Sequence, residues 1–207
     1  MIFVVLGRLR MRPFPLGFGL WHKKGVMKPG PRRRALPPLD EGRLNELALR
    51  YVGRFSTTRA KLRTYLARKV RERGWDGARD PDFAGIAERF ADQGYVDDSS
   101  YALAKSQSLT VRGYGKRRVV EALKAAGVEE EESVAARDHA DAGAVSAALR
   151  FARRRKGGPF AESRSGDPRE RQKSLAAMVR AGHAFELARA ILQMPPGTEV
   201  DEDQLTM

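Results

Sequence analysis

From Asp40 onward apolar residues recur at steps of three and four, the period of a helix with one buried face. Leu44, Leu47, Ala48, Tyr51, Val52 and Phe55 form the first such stripe. Ser56-Thr57-Thr58 interrupts it and offers hydroxyl oxygens to cap a second helix. Leu62, Tyr65, Leu66 and Val70 carry that helix to Gly74, a residue suited to a helix stop. After a loop with Gly77 and Pro81, Phe83, Ile86, Ala87 and Phe90 form a third stripe that ends at Gly94. No segment shows the period-two alternation of a strand, so the spacing predicts an all-α protein.

The arrangement then recurs. Asp97-Asp98 supplies a cap and acid for a helix carrying Tyr101, Ala104 and Leu109 up to Arg112-Gly113. Val119, Val120 and Leu123 mark the next helix, closed by Gly127, and an acid-rich start at Glu129–Glu132 leads into Val134 and Ala135. A last set follows: Val145, Ala148, Leu149 and Ala152; then Leu175, Met178 and Val179; then Phe185, Ala188, Ile191 and Leu192. Gly74, Gly127 and Gly182 close the second helix of each set, and the residues four before them, Val70, Leu123 and Met178, are all apolar. Helical repeats bury a shared core by stacking neighbours. The expectation is three tandem three-helix, helix-turn-helix-like units at 39–96, 97–141 and 142–194, forming an elongated curved stack; a single irregular helical bundle is the competing architecture.

Charge changes the picture at the ends. The 207 residues carry a net +13, and nine of the 39 basic residues lie in residues 1–38, where there is no acid. That leader is rich in proline and glycine, lacks a sustained period and reads as disordered. It is a basic arm for nucleic acid, a targeting peptide (though it holds no serine), or a stretch upstream of a true start at Met27; the last is favoured, because Met27-Lys28-Pro29-Gly30 runs straight into the patterned part. Residues 195–207 read as an acidic disordered tail. The chain has no cysteine, which excludes a disulfide framework, a thiol nucleophile and cysteine metal centres, and is compatible with the cytoplasm as the expected location. Its longest apolar run, Ile2–Leu6, is far below the roughly 18 residues of a membrane helix.

Three basic clusters fall at comparable places: Arg59, Lys61, Arg63, Arg68 and Lys69, continuing to Arg71 and Arg73; Arg112, Lys116, Arg117 and Arg118; and Arg150, Arg153, Arg154, Arg155 and Lys156. One such run is commonly a solvated helix face. Recurrence across units instead suits a polyanion or an acidic protein surface. Arginines alone do not make a recognition helix. Tyr51, Phe55, Tyr65, Phe83 and Phe90 lie on the apolar stripes and are read as core, not as a base-stacking platform.

No enzyme is predicted. His22, His139 and His183 are scattered, and the consecutive Glu129–Glu132 point to different faces of a helix. Arg112-Gly113-Tyr114-Gly115-Lys116 lacks the spacing and the following Ser/Thr of a phosphate-cradling loop. No catalytic residue, metal or cofactor is assigned.

The chain resembles the RecX family, regulators of the RecA recombinase. The resemblance rests on Gly94-Tyr95-Val96-Asp97-Asp98-Ser99-Ser100-Tyr101-Ala102 and on Arg112-Gly113-Tyr114-Gly115-Lys116-Arg117-Arg118-Val119, with Leu123 and Gly127 in step. Outer segments from Ala48 to Leu66 and from Leu175 to Ile191 also fit, so that it covers about residues 40–193. The sequence departs from the family pattern at Lys61, where an acid often completes a capping box with the hydroxyl matched here by Thr58, and at Ser100, Lys116 and His183.

The resemblance implies a helical stack without a catalytic centre that binds RecA along its filament on DNA and restrains it. The basic clusters would face RecA or DNA, while Asp97, Asp98, Tyr101, Gly113, Gly115, Leu123 and Gly127 would be structural. A monomer is expected. The alternatives are a general DNA-binding helical protein of transcription-regulator type and a pure scaffold.

Overall fold

The computed structural model describes residues 36–163, 166–202 and 205, so the leader up to residue 35 lies outside the described residues. Nine α-helices are present among them and no strand. In chain order they are α1 (Glu41–Val52), α2 (Arg59–Arg73), α3 (Phe83–Asp92), α4 (Asp98–Val111), α5 (Lys116–Ala125), α6 (Val134–Ala142), α7 (Ala144–Arg154), α8 (Pro168–Arg180) and α9 (Phe185–Gln193). Short polar side chains start several of them. Asp40, Thr58, Asp82 and Asp97 accept the N–H of Arg43, Lys61, Gly85 and Ser100 at 2.8, 3.1, 2.8 and 2.8 Å. Each such cap satisfies a donor that the helix cannot, and is worth about 1 kcal/mol.

The buried apolar residues fall into three clusters in chain order. The first joins Leu39, Leu44, Ala48, Leu62, Leu66, Ile86, Ala87, Phe90 and Val96 from α1–α3. The second joins Ala102, Leu109, Val119, Leu123, Ala126, Val128, Ala136 and Ala140 from α4–α6. The third is built by α7–α9 around Phe151, Met178, Ala188 and Ile191. Residues 36–38, counted with the leader in the sequence, belong to the first cluster's surroundings. Arg73 donates to the Pro37 carbonyl at 2.7 and 3.1 Å, and Arg43 to the Pro38 carbonyl at 3.0 Å.

Several side chains sit differently from the expectation. Phe55 and Phe185 are more than half exposed, at 56% and 51%. In α4 the buried stripe is Asp98, Ala102, Ser106, Leu109 and Thr110, whereas Ala104 faces outward. In α6 Ala136 and Ala140 are buried, whereas Val134 and Ala135 are exposed. For α4 and α6 the cause is one interface. α4 and α6 pack on small side chains, and the Ser106 hydroxyl donates to the Ala136 carbonyl at 2.7 Å, so a polar residue fills a core position at little cost. The acidic tail, expected to be disordered, is folded back in its described part. Leu205 is buried and Val200 packed against the third cluster, and the Gly197 N–H donates to the Pro159 carbonyl at 2.9 Å.

Consecutive clusters are joined in the same way twice. At the first junction the N-cap of α2, Thr58, donates its hydroxyl to the Ala126 carbonyl at 2.6 Å, just before Gly127. At the second the N-cap of α5, Gly115, donates its N–H to the Ala181 carbonyl at 3.0 Å, just before Gly182. The glycines are required by proximity. A Cβ on Gly127 would lie 2.3 Å from the Ala60 Cβ, and one on Gly182 would lie 2.5 Å from the Arg118 nitrogen. Both also hold positive φ, +70° and +97°, where a side chain is strained.

Candidate functional site

The first basic cluster starts at the α2 N-terminus, and there its two leading members have internal partners. The Asp98 carboxylate accepts the Arg59 backbone N–H at 2.9 Å and lies 3.5 Å from the Arg59 guanidinium. Arg59 also pairs with Glu88 at 3.2 Å and with Glu132. Burial would loosen the guanidinium's proton, but the Glu88 hydrogen bond and the nearby Asp98 and Glu88 charges outweigh this, and its pKa is raised. Lys61 reaches the Tyr101 hydroxyl and stands 4.5 Å over that ring. Arg68 and Lys69 share Glu72 at 2.6 and 2.7 Å; these hydrogen bonds, the Lys69 one first, hold the Glu72 carboxyl below its ordinary range. Arg63 is exposed on the same helix.

The second cluster borders the second junction. Lys116 pairs with Asp141, Arg118 with Glu121 at 3.1 Å, and Arg117 donates to the Val179 carbonyl near the end of α8. Arg112 lies 5.6 Å from the Tyr114 ring centre. In the third cluster Arg154 donates to the Arg112 carbonyl and Arg150 to the Thr110 carbonyl at 3.4 Å. Arg153 lies 4.8 Å over the Phe160 ring and Arg155 5.6 Å from that of Phe151. Thus Arg117, Arg150 and Arg154 donate to carbonyls near helix ends, where cations are favoured. Arg63, Arg112, Arg118, Arg153 and Arg155 keep exposed charge.

The residues read as structural hold the junctions. Asp97 caps α4 through the Ser100 hydroxyl at 2.6 Å and its N–H at 2.8 Å, which keep its carboxyl below the ordinary range. Leu123 is in the second core. The Gly113 carbonyl accepts from His183 Nε2 at 3.2 Å, and burial pushes the His183 pKa down. A Cβ on Gly115 would meet the Gly182 carbonyl oxygen at 2.3 Å.

One constellation was not singled out in the sequence. A groove of about 740 Å³ opens between the C-terminal part of α1, the start of α2 and the end of α5. Arg50, Arg54, Lys61, Arg68 and Lys124 line it, and no carboxylate does. Among the described residues Arg50, Arg54 and Lys124 have no ion-pair partner. Its floor is aromatic: Tyr51 stacks on Tyr65 at 4.1 Å with planes 13° apart, and Phe55 lies 5.4 Å from Tyr51. The signal available in the sequence was Tyr51 and Phe55 four residues apart with Arg50 and Arg54 beside them, one pair in the last turn of α1 and the other past its end.

The described residues form an all-helical framework with three apolar cores and cationic surfaces. No family model matches the chain. It is 30% identical over 177 residues to "Regulatory protein RecX" of Myxococcus xanthus (strain DK1622), covering 81% of this chain and 92% of that one. It is 32% identical over 155 residues to the protein of the same name from Mycobacterium sp. (strain KMS), covering 73% and 82%. The fold matches the crystal structure of RecX from Lactobacillus salivarius with a TM-score of 0.53 at 15% identity, over 73% of this chain and 94% of that one. The chain belongs to the RecX family of regulatory proteins.

Proposed function

We propose that the protein binds the RecA filament on DNA and inhibits its ATPase, recombinase and coprotease activities, acting as a monomer in the cytoplasm in DNA repair, recombination and the SOS response. Family membership carries this reading. The physical means are the cations that keep exposed charge after the junctions have used their share. Arg63, Arg112, Arg153 and Arg155, with the ion-paired Arg68, Lys69, Lys116 and Arg118 beside them, attract phosphates or acidic protein groups at long range. Arg59, Lys61, Arg117 and Arg154 support that surface by tying its helices together. No helix among the described residues is long and apolar enough to cross a membrane.

The test is RecA-catalysed ATP hydrolysis and strand exchange on single-stranded DNA with added protein. Suppression below a one-to-one ratio, with tighter binding to RecA-coated than to bare DNA, supports the reading. Equal binding to bare DNA with RecA activity untouched at saturation defeats it in favour of a general DNA-binding protein.

A further inference from the structure

We infer that the groove between α1, α2 and α5 is a binding site for single-stranded DNA, in which an unpaired base stacks on Phe55 while the flanking phosphates lie between Arg50, Arg54 and Lys124. The inference goes beyond RecA regulation and does not depend on it. Three observations carry it. First, the lining is cationic and holds no carboxylate of its own; Glu72 answers Arg68 and Glu130 feels the charge of Lys124 from outside it, while among the described residues Arg50 and Arg54 have no ion-pair partner and attract an anion. Second, Phe55 holds a large apolar ring in water at 56% exposure although its neighbours Tyr51 and Tyr65 are already stacked together. An exposed aromatic at the edge of such a pair is a surface on which a flat, apolar partner gains area. Third, a cation and a ring stand side by side twice, as Arg50-Tyr51 in the last turn of α1 and as Arg54-Phe55 just beyond its C-cap Gly53.

A single strand offers both features at once, a phosphate for each nucleotide and a base with a free face. Base–aromatic stacking is tolerant of sequence and strengthens with nearby arginine. A duplex hides its base faces within the stack, which leaves Phe55 nothing flat to cover it. An acidic peptide would satisfy the cations but not the demand for a planar partner.

The experiment uses the full chain and two fluorescein-labelled oligomers of equal length, an oligothymidylate and its abasic counterpart, in an anisotropy titration. Phe55→Ala removes an exposed ring, and circular dichroism verifies that the helices persist. Wild-type protein is expected to bind the oligothymidylate about tenfold more tightly than F55A does, while the two bind the abasic oligomer alike. Arg54→Glu is expected to weaken both oligomers and to reduce the salt slope by about one unit. Equal oligothymidylate affinity for wild type and F55A overturns the inference. So does a loss on F55A that is as large for polyglutamate as for oligothymidylate, which would assign the groove to an acidic protein segment. RecA ATP hydrolysis measured beside these titrations separates the two readings. Inhibition that survives F55A while base-dependent binding falls upholds the groove assignment. Inhibition lost by F55A with oligomer binding intact overturns it.

Discussion

Arg59 and Asp98 stand 39 residues apart in the chain and meet through a backbone N–H and a carboxylate oxygen at 2.9 Å. The bond places an anion at the positive end of α2, a helix with no acidic residue in its own first turn. Lys61 occupies the position where a capping-box acid would stand, and the carboxylate it lacks is provided by α4 across the junction. Lys61 in turn reaches back to Tyr101 on α4. Lys61 and Asp98 therefore belong to one contact between α2 and α4, while Asp97 caps α4 itself.

Asp98→Ala should lower stability by about 2 kcal/mol, because it removes a buried acceptor from a helix N-terminus and one partner of Arg59. Asp98→Asn should recover part of the loss, since its amide oxygen still accepts the Arg59 N–H. Urea unfolding of the three proteins measures both effects. A drop smaller than about 0.5 kcal/mol for Asp98→Ala would show the contact to be unimportant for α2.

Gly94 and Gly182 separate backbone strain from crowding. Both have positive φ, +76° and +97°, but nothing lies within 4 Å of a Cβ on Gly94, whereas one on Gly182 meets Arg118 N at 2.5 Å and the Gly115 oxygen at 2.9 Å. Gly94→Ala should cost about 1 kcal/mol from φ alone. Gly182→Ala should cost at least about 2 kcal/mol more, because backbone on both sides of the junction must move. Thermal unfolding of the pair gives the difference directly.

His183 predicts a pH dependence. Burial against Phe151, whose ring centre is 5.6 Å away, lowers its pKa from 6.5; the Gly113 hydrogen bond opposes this and the Arg154 charge adds to it. With the folded value depressed, the unfolded chain binds more protons below 6.5. The His183 contribution is thus complete above 6.5 and is lost as the pH falls toward the lower folded value. Stability measured from pH 7 to 5 should decline, and His183→Gln should flatten that decline. A steeper decline in the variant would reverse the assignment.

The basic residues should divide by function. Arg118→Glu and Arg155→Glu alter exposed charges and should change stability by less than about 1 kcal/mol. They should weaken binding to RecA-coated DNA and flatten its salt dependence. Arg117→Ala and Arg154→Ala remove donors to the Val179 and Arg112 carbonyls, and should show in melting temperature as well as in binding. Equal melting temperatures in all four variants would remove the distinction.

Much of the fold was legible because its signals are local. The three-to-four spacing of Leu44, Ala48, Leu62, Leu66, Ile86 and Phe90, together with Thr58 and Asp97 as caps, acts over one or two helical turns. Gly127 and Gly182 could be marked as stops for the same reason. The α4–α6 interface was not legible there. Ser106 becomes a core residue only because the Ala136 carbonyl, 30 residues away, accepts its hydroxyl.

The cations show the same division. By itself the sequence determined that nine helical stripes exist, where several of them begin or stop, and that arginine and lysine gather at three places, since each depends on neighbours along the chain. Only the tertiary structure decided that Arg59 answers Asp98 and Glu132, that Arg154 answers the Arg112 carbonyl, and that Arg50, Arg54 and Lys124 line one groove with Phe55. The physical reason is range. A helix period is fixed by residues a turn apart, whereas the partner of a long charged side chain is whatever packing brings within about 4 Å of its tip, here from 39 to 73 residues away.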